Sequence, residues 1–407
     1  MASKNATRTP GYFGMDYQLL DAWFRYWDGE EDKAFVHSAP QYSDLLPSSG
    51  SFQEALSFTT KAKTQFTPPD LLRRGGWLVA KSVASGVTAM RAFVEVDATV
   101  RFDCLEAGIR LKDEWKHACH IQLACFAQDP IFSGPHGDEN RKLMEEAIRN
   151  SKTDVIGTTP YVEGSVDAAK MNIEWVIERC LELGKHLDFH VDYNLDSSKE
   201  PLVWHVLRIL RDKGWTSKSS SKKVMLGHCT RLTLFSDEEW SQLAREINEN
   251  DLPVTFVGLP TSDIYMASPP RDGPNCPSHL HTQPRGTLQV PDMIRTHRLD
   301  AVIGVNNVGN ASTPWGRSDP LSLACFGVGI YQTGTQADAE LLSGLQLKEG
   351  DSPDLLLLYS VDETGLGAAR ARKSVAEVVW DPPARCSRDV VTEGRLVVKR
   401  AFAFERR

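Results

Sequence analysis

A regular alternation of short apolar strands with longer helices runs through most of this 407-residue chain and constrains its fold more than any other feature. The first clear strand covers residues 86–97, and the last one covers residues 300–305. Between them lie strand-like runs near residues 119–126, 153–158, 186–190, 223–227 and 253–258. Parallel strands need a long crossover, which is usually a helix, so this alternation is typical of βαβ units. The pattern therefore predicts an α/β fold built on one parallel sheet.

Seven strands are clear in this pattern, and an eighth would close them into a (β/α)8 TIM barrel. We expect the eighth strand near residues 24–37, on the N-terminal side of the first clear strand. An open doubly wound sheet is the alternative architecture. No GxGxxG motif follows the first strand, which disfavours a dinucleotide-binding fold.

The two ends of the chain differ from the repeat. We interpret residues 1–27 as a divergent N-terminal segment and residues 28–350 as the barrel. Residues 351–407 are predicted to form a linker followed by short antiparallel strands near 374–381 and 394–399. The chain ends would then form a small, incomplete β-sandwich beside the barrel.

Charge and composition restrict the class of partner. The net charge of -8 argues against non-specific binding of nucleic acid. No run of eighteen apolar residues and no secretory leader are present, which predicts no membrane span. The eight cysteines form no CxxC pair and are expected to be reduced. We expect a cytoplasmic protein with a small-molecule substrate, and a homo-oligomeric state stays open.

Titratable and amide side chains follow several of the predicted strands. His190 and His228 end two neighbouring strands, and neutral imidazoles side by side suit either a metal ion or acid–base chemistry. Asp192 and Tyr193 follow His190 directly. The candidate substrate contacts are Gln128, Asn306, Asn307 and Trp315. Because the C-terminal ends of the strands meet at one mouth of a barrel, we expect these residues to form one site there.

Four of these segments, in this order along the chain, resemble motifs of the amidohydrolase superfamily. Within it, the chain is most similar to the cytosine deaminase-like metal-dependent hydrolases, in particular their fungal relatives. The segments are Ala127-Gln128-Asp129-Pro130, Phe189-His190-Val191-Asp192-Tyr193, Leu226-Gly227-His228-Cys229-Thr230 and Gly304-Val305-Asn306-Asn307.

This resemblance implies a barrel enzyme with one divalent metal ion, Zn or Fe, that activates water for attack on an amide, imide or amidine carbon. His190 matches the metal-ligand histidine of the fifth strand. His228 matches the histidine that stabilises the attacked centre, and Gln128 matches a contact to the substrate amide.

The chain departs from the family pattern at several of its metal ligands. Asp28 and Glu30 stand where the family has the two histidines of its first strand. Asn306 replaces the last metal-ligand aspartate, and Tyr193 replaces the catalytic glutamate. Carboxylates at positions 28 and 30 would suit a harder ion such as Mg or Mn. His190, Asp28 and Glu30 are therefore the candidate metal ligands, and whether a metal is bound stays open.

Three hypotheses for the function follow. The first is a hydrolase that cleaves a C–N bond of a small cyclic amide, imide or amidine. The second is a repurposed, metal-independent isomerase, cyclase or lyase of specialised metabolite biosynthesis that uses His228, Tyr193 and Asp192 as acid–base groups. The third is a non-catalytic paralogue that binds a ligand or a partner. The sequence does not identify the substrate.

Overall fold

The computed structural model describes residues 17–18, 45, 49–267, 285–310, 312–313, 315–344, 351–359, 372–384 and 387–399. Of residues 17–18 only the backbone is described. The candidate ligands Asp28 and Glu30, and the predicted strand region 24–37, lie outside these ranges.

Eight parallel strands form one sheet and follow one another in chain order from β1 to β8. They are β1 Tyr17–Gln18, β2 Ala89–Glu95, β3 His120–Ala127, β4 Val155–Thr158, β5 His186–Val191, β6 Val224–His228, β7 Val254–Gly258 and β8 Ala301–Ile303. The predicted TIM-type α/β barrel is thereby confirmed.

Helices separate the strands, as the alternation predicts. They are α1 Phe52–Lys63, α2 Pro68–Ala84, α3 Asp103–Trp115, α4 Gly137–Ala147, α5 Val166–Leu183, α6 Val203–Asp212, α7 Asp237–Glu249, α8 Pro260–Met266, α9 Val290–Arg295, α10 Pro320–Ile330, α11 Gln336–Ser343 and α12 Val375–Trp380. In the parts of the chain that the structure describes, no helix combines the length and the apolar character needed to cross a membrane.

The first strand lies earlier in the chain than the sequence suggests. Tyr17 and Gln18 pair in parallel with Ala92 and Phe93 of β2. The expected position near residues 24–37 is therefore wrong for this strand. A strand of two residues is shorter than most strands and carries no alternation that a sequence pattern could reveal.

Alternation along the strands decides which side chains point into the barrel. Arg91 of β2 forms an ion pair with Asp188 of β5 and a 2.7 Å hydrogen bond to Gln122 of β3. Phe93 and Phe126, on the same faces of β2 and β3, pack edge to face with ring centroids 5.1 Å apart. Because side chains at i and i+2 share a face, His190 points into the barrel above Asp188.

The main apolar core lies between the sheet and the surrounding helices, and it includes residues such as Leu78, Leu123 and Val206. A close helix–strand approach depends on Gly108 of α3. A Cβ atom at this position would lie 2.6 Å from Cγ1 of Val94, so any larger residue would push the helix away from β2.

The C-terminal part forms a separate antiparallel sheet in the order β11-β10-β9, with β9 Leu355–Leu358, β10 Arg388–Thr392 and β11 Arg395–Val398. The expected strand near 374–381 is wrong, because Val375–Trp380 is the helix α12. The Ser374 hydroxyl accepts the backbone N–H of Glu377 at 3.2 Å and caps this helix, while Ala376 and Val379 are buried.

Candidate functional site

A pocket opens at the C-terminal mouth of the barrel. The pocket and the open space above it hold about 480 Å³. Its lining residues come from several strand ends and from α1; they are Phe52, Leu56, Thr59, Gln128, Tyr161, His190, Tyr193, His228, Ser262, Met266, Asn306, Asn307 and Ser312. A pocket with apolar walls and a few convergent polar groups is the usual form of a small-molecule site.

His190 lies at the base of this pocket and is 2% exposed. Its ring packs against Phe126, with centroids 4.8 Å apart, and against Phe93, with centroids 5.4 Å apart. On the β6 side, a Cβ atom at Gly227 would lie 3.1 Å from Cδ2 of His190. The imidazole is therefore held by aromatic rings on one side and by a bare backbone on the other.

His228 lies beside His190 at the end of β6. The two ring centroids are 5.0 Å apart and the rings are nearly perpendicular. Tyr193 covers one face of the His228 imidazole, and the centroids of the two stacked rings are 3.9 Å apart. These contacts confine His228 to one orientation at the pocket wall.

Asp263 of α8 fixes His228 from behind. Nδ1 of His228 lies 2.8 Å from Oδ1 of Asp263, and both side chains are buried, 4% exposed for His228 and 0% for Asp263. The other carboxylate oxygen, Oδ2, accepts the N–H of Leu259 at 3.1 Å and the hydroxyl of Thr287 at 2.7 Å. Because Oδ2 accepts from these two donors, Oδ1 is the carboxylate oxygen that is left to the imidazole.

Burial controls the electrostatics of this pair. It raises the pKa of the Asp263 carboxyl well above its usual value, against the hydrogen bonds from Thr287 and Leu259, which lower it. When Nε2 of His228 carries no proton, the pair holds one negative charge, and proton uptake at Nε2 makes the pair neutral. A buried site favours the neutral form. Proton transfer at Nε2 of His228 is therefore coupled to the charge of Asp263.

Aromatic rings form the upper walls of the pocket. Tyr161 lies 5.6 Å from Tyr193 and 6.4 Å from Phe52, measured between ring centroids. The Tyr193 hydroxyl donates to the carbonyl oxygen of Ser262 at 3.4 Å. Burial raises the pKa of Tyr193 well above its usual value, so the phenol is protonated at neutral pH. Such walls are suited to the faces of a flat ring.

Carboxamides supply further polar groups. Gln128 directly follows β3, while Asn306 and Asn307 follow β8, and all three line the pocket. The side-chain N–H of Asn306 donates to the Ser262 hydroxyl oxygen at 2.6 Å. This bond fixes the Asn306 amide plane and commits its nitrogen to the protein.

Backbone strain occurs at three of these strand ends. Asp192, His228 and Asn306 have φ values of +54°, +65° and +62°. Non-glycine residues adopt this left-handed region at an energetic cost, and they do so most often at functional sites. The strain redirects the chain directly after β5, β6 and β8, where the pocket residues lie.

Asp192 does not line the pocket, although it is adjacent to Tyr193. Its carboxylate accepts the backbone N–H of Leu202 at 2.8 Å and of Val203 at 2.9 Å, at the N-terminus of α6. Burial raises the pKa of Asp192 to about 6, and these two hydrogen bonds oppose the rise. The structure gives Asp192 a capping position instead of the acid–base position expected from the sequence.

Three further residues expected at the site are not among the described residues that line the pocket: Trp315, Asp28 and Glu30. Trp315 is 44% exposed and packs edge to face on Phe326, and it is not among the pocket-lining residues. Asp28 and Glu30 lie outside the described residues, so their expected meeting with His190 stays a prediction.

The described residues do not by themselves fit a divalent metal ion. Across these ranges, no group of three His, Cys, Asp or Glu side chains converges in a way that could hold one. His190 and His228 contribute imidazoles, but the Asp263 carboxylate is held by His228, Leu259 and Thr287. We therefore derive no chemical step through a metal.

The structure adds site residues that the sequence reasoning missed. Asp263 and Ser262 lie on the short helix after β7, Tyr161 lies in a 3-10 turn after β4, and Phe52 comes from α1. One signal was available for Asp263. Polar residues that follow a predicted strand are candidates for the site, and Asp263 lies in the polar segment that follows the strand ending at Gly258.

Comparisons with known proteins give no matching family model. The N-isopropylammelide isopropyl amidohydrolase of Pseudomonas sp. (strain ADP) is 26% identical to this chain over 129 residues. The matched region is 31% of this chain and spans only 29% of that protein. The sequence likeness is thus confined to a part of each chain.

Similar solved structures cover nearly the whole chain. The 5-methylcytosine deaminase from Klebsiella pneumoniae, liganded with 5-fluorocytosine, has a TM-score of 0.74 and 20% identity and covers 97% of this chain and 87% of its own. The N-isopropylammelide isopropylaminohydrolase from Burkholderia multivorans has a TM-score of 0.64 and 17% identity, with coverages of 95% and 84%. The guanine deaminase from C. acetobutylicum, with bound guanine, has a TM-score of 0.56 and 12% identity, with coverages of 88% and 84%. At these identities the likeness establishes a common fold.

Proposed function

We propose that this chain is an amidohydrolase-like enzyme that hydrolyses a C–N bond of a small cyclic amide, imide or amidine. The observation that carries the proposal is the buried His228–Asp263 pair at the wall of an aromatic pocket. The common fold with proteins named as deaminases and as an N-isopropylammelide hydrolase supports the same reaction class.

Each residue of the pocket has its own role in the proposed reaction. Phe52, Tyr161 and Tyr193 hold a flat ring between aromatic faces. Nε2 of His228 takes a proton from the water that attacks the ring carbon, which forms a C–O bond. The same nitrogen then returns the proton to the departing amine as the C–N bond breaks. Asp263 stabilises His228 while it carries this proton.

The carboxamides orient the ring. Gln128 and Asn307 offer an amide oxygen to a ring N–H group or an amide nitrogen to a ring carbonyl, whereas Asn306 offers only its oxygen, because its nitrogen donates to Ser262. His190, Asp28 and Glu30 stay proposed as the ligands of one divalent ion, and no step of the proposed reaction depends on it, because the described residues do not by themselves hold one.

A second candidate function uses the same pair without hydrolysis. The His228–Asp263 hydrogen bond forms entirely within the described residues and is independent of Asp28 and Glu30. It could therefore serve a metal-independent isomerase, cyclase or lyase acting on a ring substrate. A non-catalytic protein would need no such pair, and no observation favours that reading.

One experiment separates the candidates. The purified protein is incubated with a panel of cyclic amides, imides and amino-substituted rings, and released ammonia or amine is measured beside the metal content. Hydrolysis predicts addition of one water per ring consumed, seen as oxygen-18 from labelled water in the product: an amino-substituted ring releases its amine, and a cyclic amide or imide opens. Both are abolished in His228→Gln. Consumption of a ring without uptake of oxygen from water would support the isomerase, cyclase or lyase instead. Binding without any turnover would overturn both.

A further inference from the structure

Helix α1 forms one wall of the pocket, although it lies outside the regular strand–helix repeat. Phe52, Leu56 and Thr59 line the pocket, and their spacing of four and three residues places them on one face of the helix. Lys63 continues the same face one turn further on. The pocket wall and Lys63 therefore share one side of α1.

Lys63 is buried at the C-terminal end of α1, with only 4% of its surface exposed. Its ammonium group forms ion pairs with Glu95, with Asp97 at 2.9 Å and with Asp129 at 3.1 Å. Glu95 ends β2, Asp97 follows it, and Asp129 follows β3. One side chain thus joins α1 to the ends of two neighbouring barrel strands.

Lys63 and the carboxylates around it stabilise one another in their charged forms. Burial acts to raise the pKa of Asp97, but Lys63 and the N–H groups of Val100 and Thr99 outweigh it, and the pKa lies below its usual value. Asp97 is therefore ionised at neutral pH beside the Lys63 cation. A buried cation facing ionised carboxylates holds its position firmly, because separating them would leave charges buried without partners.

A second attachment of α1 is apolar. Its N-terminal half packs through a small cluster of Ala55 and Met266, joined by the partly buried Phe52, Phe58, Tyr193 and Tyr265, which is separate from the main core. Met266 and Tyr193 are themselves pocket residues. Lys63 therefore attaches α1 directly to the ends of β2 and β3 through residues that do not line the pocket.

We propose that Lys63 is a positioning residue, which anchors α1 to the barrel so that Phe52, Leu56 and Thr59 form a fixed wall of the pocket. Lys63 acts through the helix and does not contact the substrate. The inference rests on the proposed function only in that it places a substrate in this pocket, and its anchoring part can be tested without turnover.

The test compares Lys63→Met with Lys61→Met in the full chain. Lys61 is exposed on the same helix, so its replacement removes the same charge without removing the anchor. Amide hydrogen exchange of residues 52–63 is measured together with exchange in β3 and β5. We expect exchange in α1 to rise about tenfold or more in Lys63→Met, with the strands unchanged. Lys61→Met should resemble the wild type.

A chemical probe reports on the pocket itself. Diethyl pyrocarbonate modifies accessible imidazoles, and His228 is only 3% exposed behind the intact wall. We expect its modification to accelerate about tenfold in Lys63→Met, because a loosened α1 uncovers the pocket. Lys63→Arg, which keeps the charge, should restore slow modification.

A second variant tests the proposal if Lys63→Met does not fold. The side chain of Asp129 is 42% exposed, so Asp129→Asn removes one partner of Lys63 with little risk to folding. It should raise hydrogen exchange in α1 less than Lys63→Met does. Unchanged exchange in α1 in both Lys63→Met and Asp129→Asn, or an equal rise in α1 and in the strands, would overturn the proposal. A wild type without turnover but with these responses would overturn the proposed function and leave the anchor standing.

Discussion

Nδ1 of His228 and Oδ1 of Asp263 lie 2.8 Å apart in a region closed to solvent, although the two residues follow different strands. The contact sets the ring orientation of His228 and makes its proton affinity a property of the pair. It also gives the most direct test of the site.

Replacement of Asp263 by Asn should reverse the tautomer of His228. The amide oxygen would accept from Leu259 and Thr287, as Oδ2 does now, and the amide nitrogen would donate to Nδ1 of the imidazole. Nε2 would then carry the proton and could not act as a base. We expect kcat to fall about 10²–10⁴-fold with a nearly unchanged ligand affinity.

Steady-state kinetics and calorimetric binding check this prediction, with Thr287→Val as the control that leaves the carboxylate in place. Retention of kcat within about threefold in Asp263→Asn would show that His228 does not work through this pair.

A glycine beside His190 gives a test of packing. The added methyl of Gly227→Ala would lie 3.1 Å from Cδ2 of His190, and that ring cannot retreat easily because Phe93 and Phe126 pack against it. We expect a loss of about 1–3 kcal/mol in the free energy of unfolding, together with lower activity. Urea denaturation and an activity assay measure the two effects.

Gly329→Ala in α10 is the matched control, since no atom lies within 4 Å of its added Cβ. There the lower entropy of the unfolded chain should stabilise the protein by about 0.4–1 kcal/mol. Equal effects of the two substitutions would mean that the space beside His190 is not limiting.

The capping residue Asp192 should make stability depend on pH. Its pKa is 3.8 as a free side chain and about 6 in the folded protein. Between these values the unfolded chain loses the proton while the folded protein retains it, so stability falls as pH rises. The shift corresponds to about 2–3 kcal/mol.

Urea denaturation of the wild type and of Asp192→Asn across pH 4–7 isolates this group, because the variant lacks the titrating carboxyl. The stability advantage of the wild type should shrink as pH rises and level off above the folded pKa. An advantage that is constant or grows with pH would contradict the raised pKa.

A buried ion pair should hold the C-terminal sheet to the barrel. Arg388 of β10 donates two hydrogen bonds to Asp319, at 2.9 Å and 3.0 Å, and only 1% of its surface is exposed. Arg388→Met would leave the Asp319 carboxylate buried without its cation. We expect the free energy of unfolding to fall by about 3–5 kcal/mol.

The double variant Arg388→Met/Asp319→Asn tests the cause, because it removes the uncompensated charge and keeps an oxygen for the N–H of Leu321. It should regain part of the lost stability in urea denaturation. A double variant as unstable as the sum of the single ones would attribute the loss to packing alone.

Most strands of the barrel could be predicted from the sequence, because the pattern that marks a strand lies in neighbouring residues. The alternation of apolar strands with helices predicted the barrel and placed seven of its strands. The first strand was misplaced since Tyr17–Gln18 is too short to show a pattern. The valine-rich run at 375–380 predicts a strand, but the Ser374 cap and the burial of one helical face make it a helix.

The site was readable in part for the same reason. His190 and His228 were found because polar residues that end parallel strands meet at one mouth, and Gln128, Asn306 and Asn307 were placed by that rule. Whether Asp28 and Glu30 reach His190 stays a prediction.

The sequence by itself determined the barrel and the strand ends from which the site is built, because periodicity and strand length are properties of neighbouring residues. Only the tertiary structure decided which polar side chains enter the pocket. His190 and Asp192 are two residues apart, yet the left-handed turn at Asp192 sends its carboxylate to the N-terminus of α6. Asp263 and the wall of α1 join the site through contacts between segments far apart in the chain, and no local pattern encodes such distances.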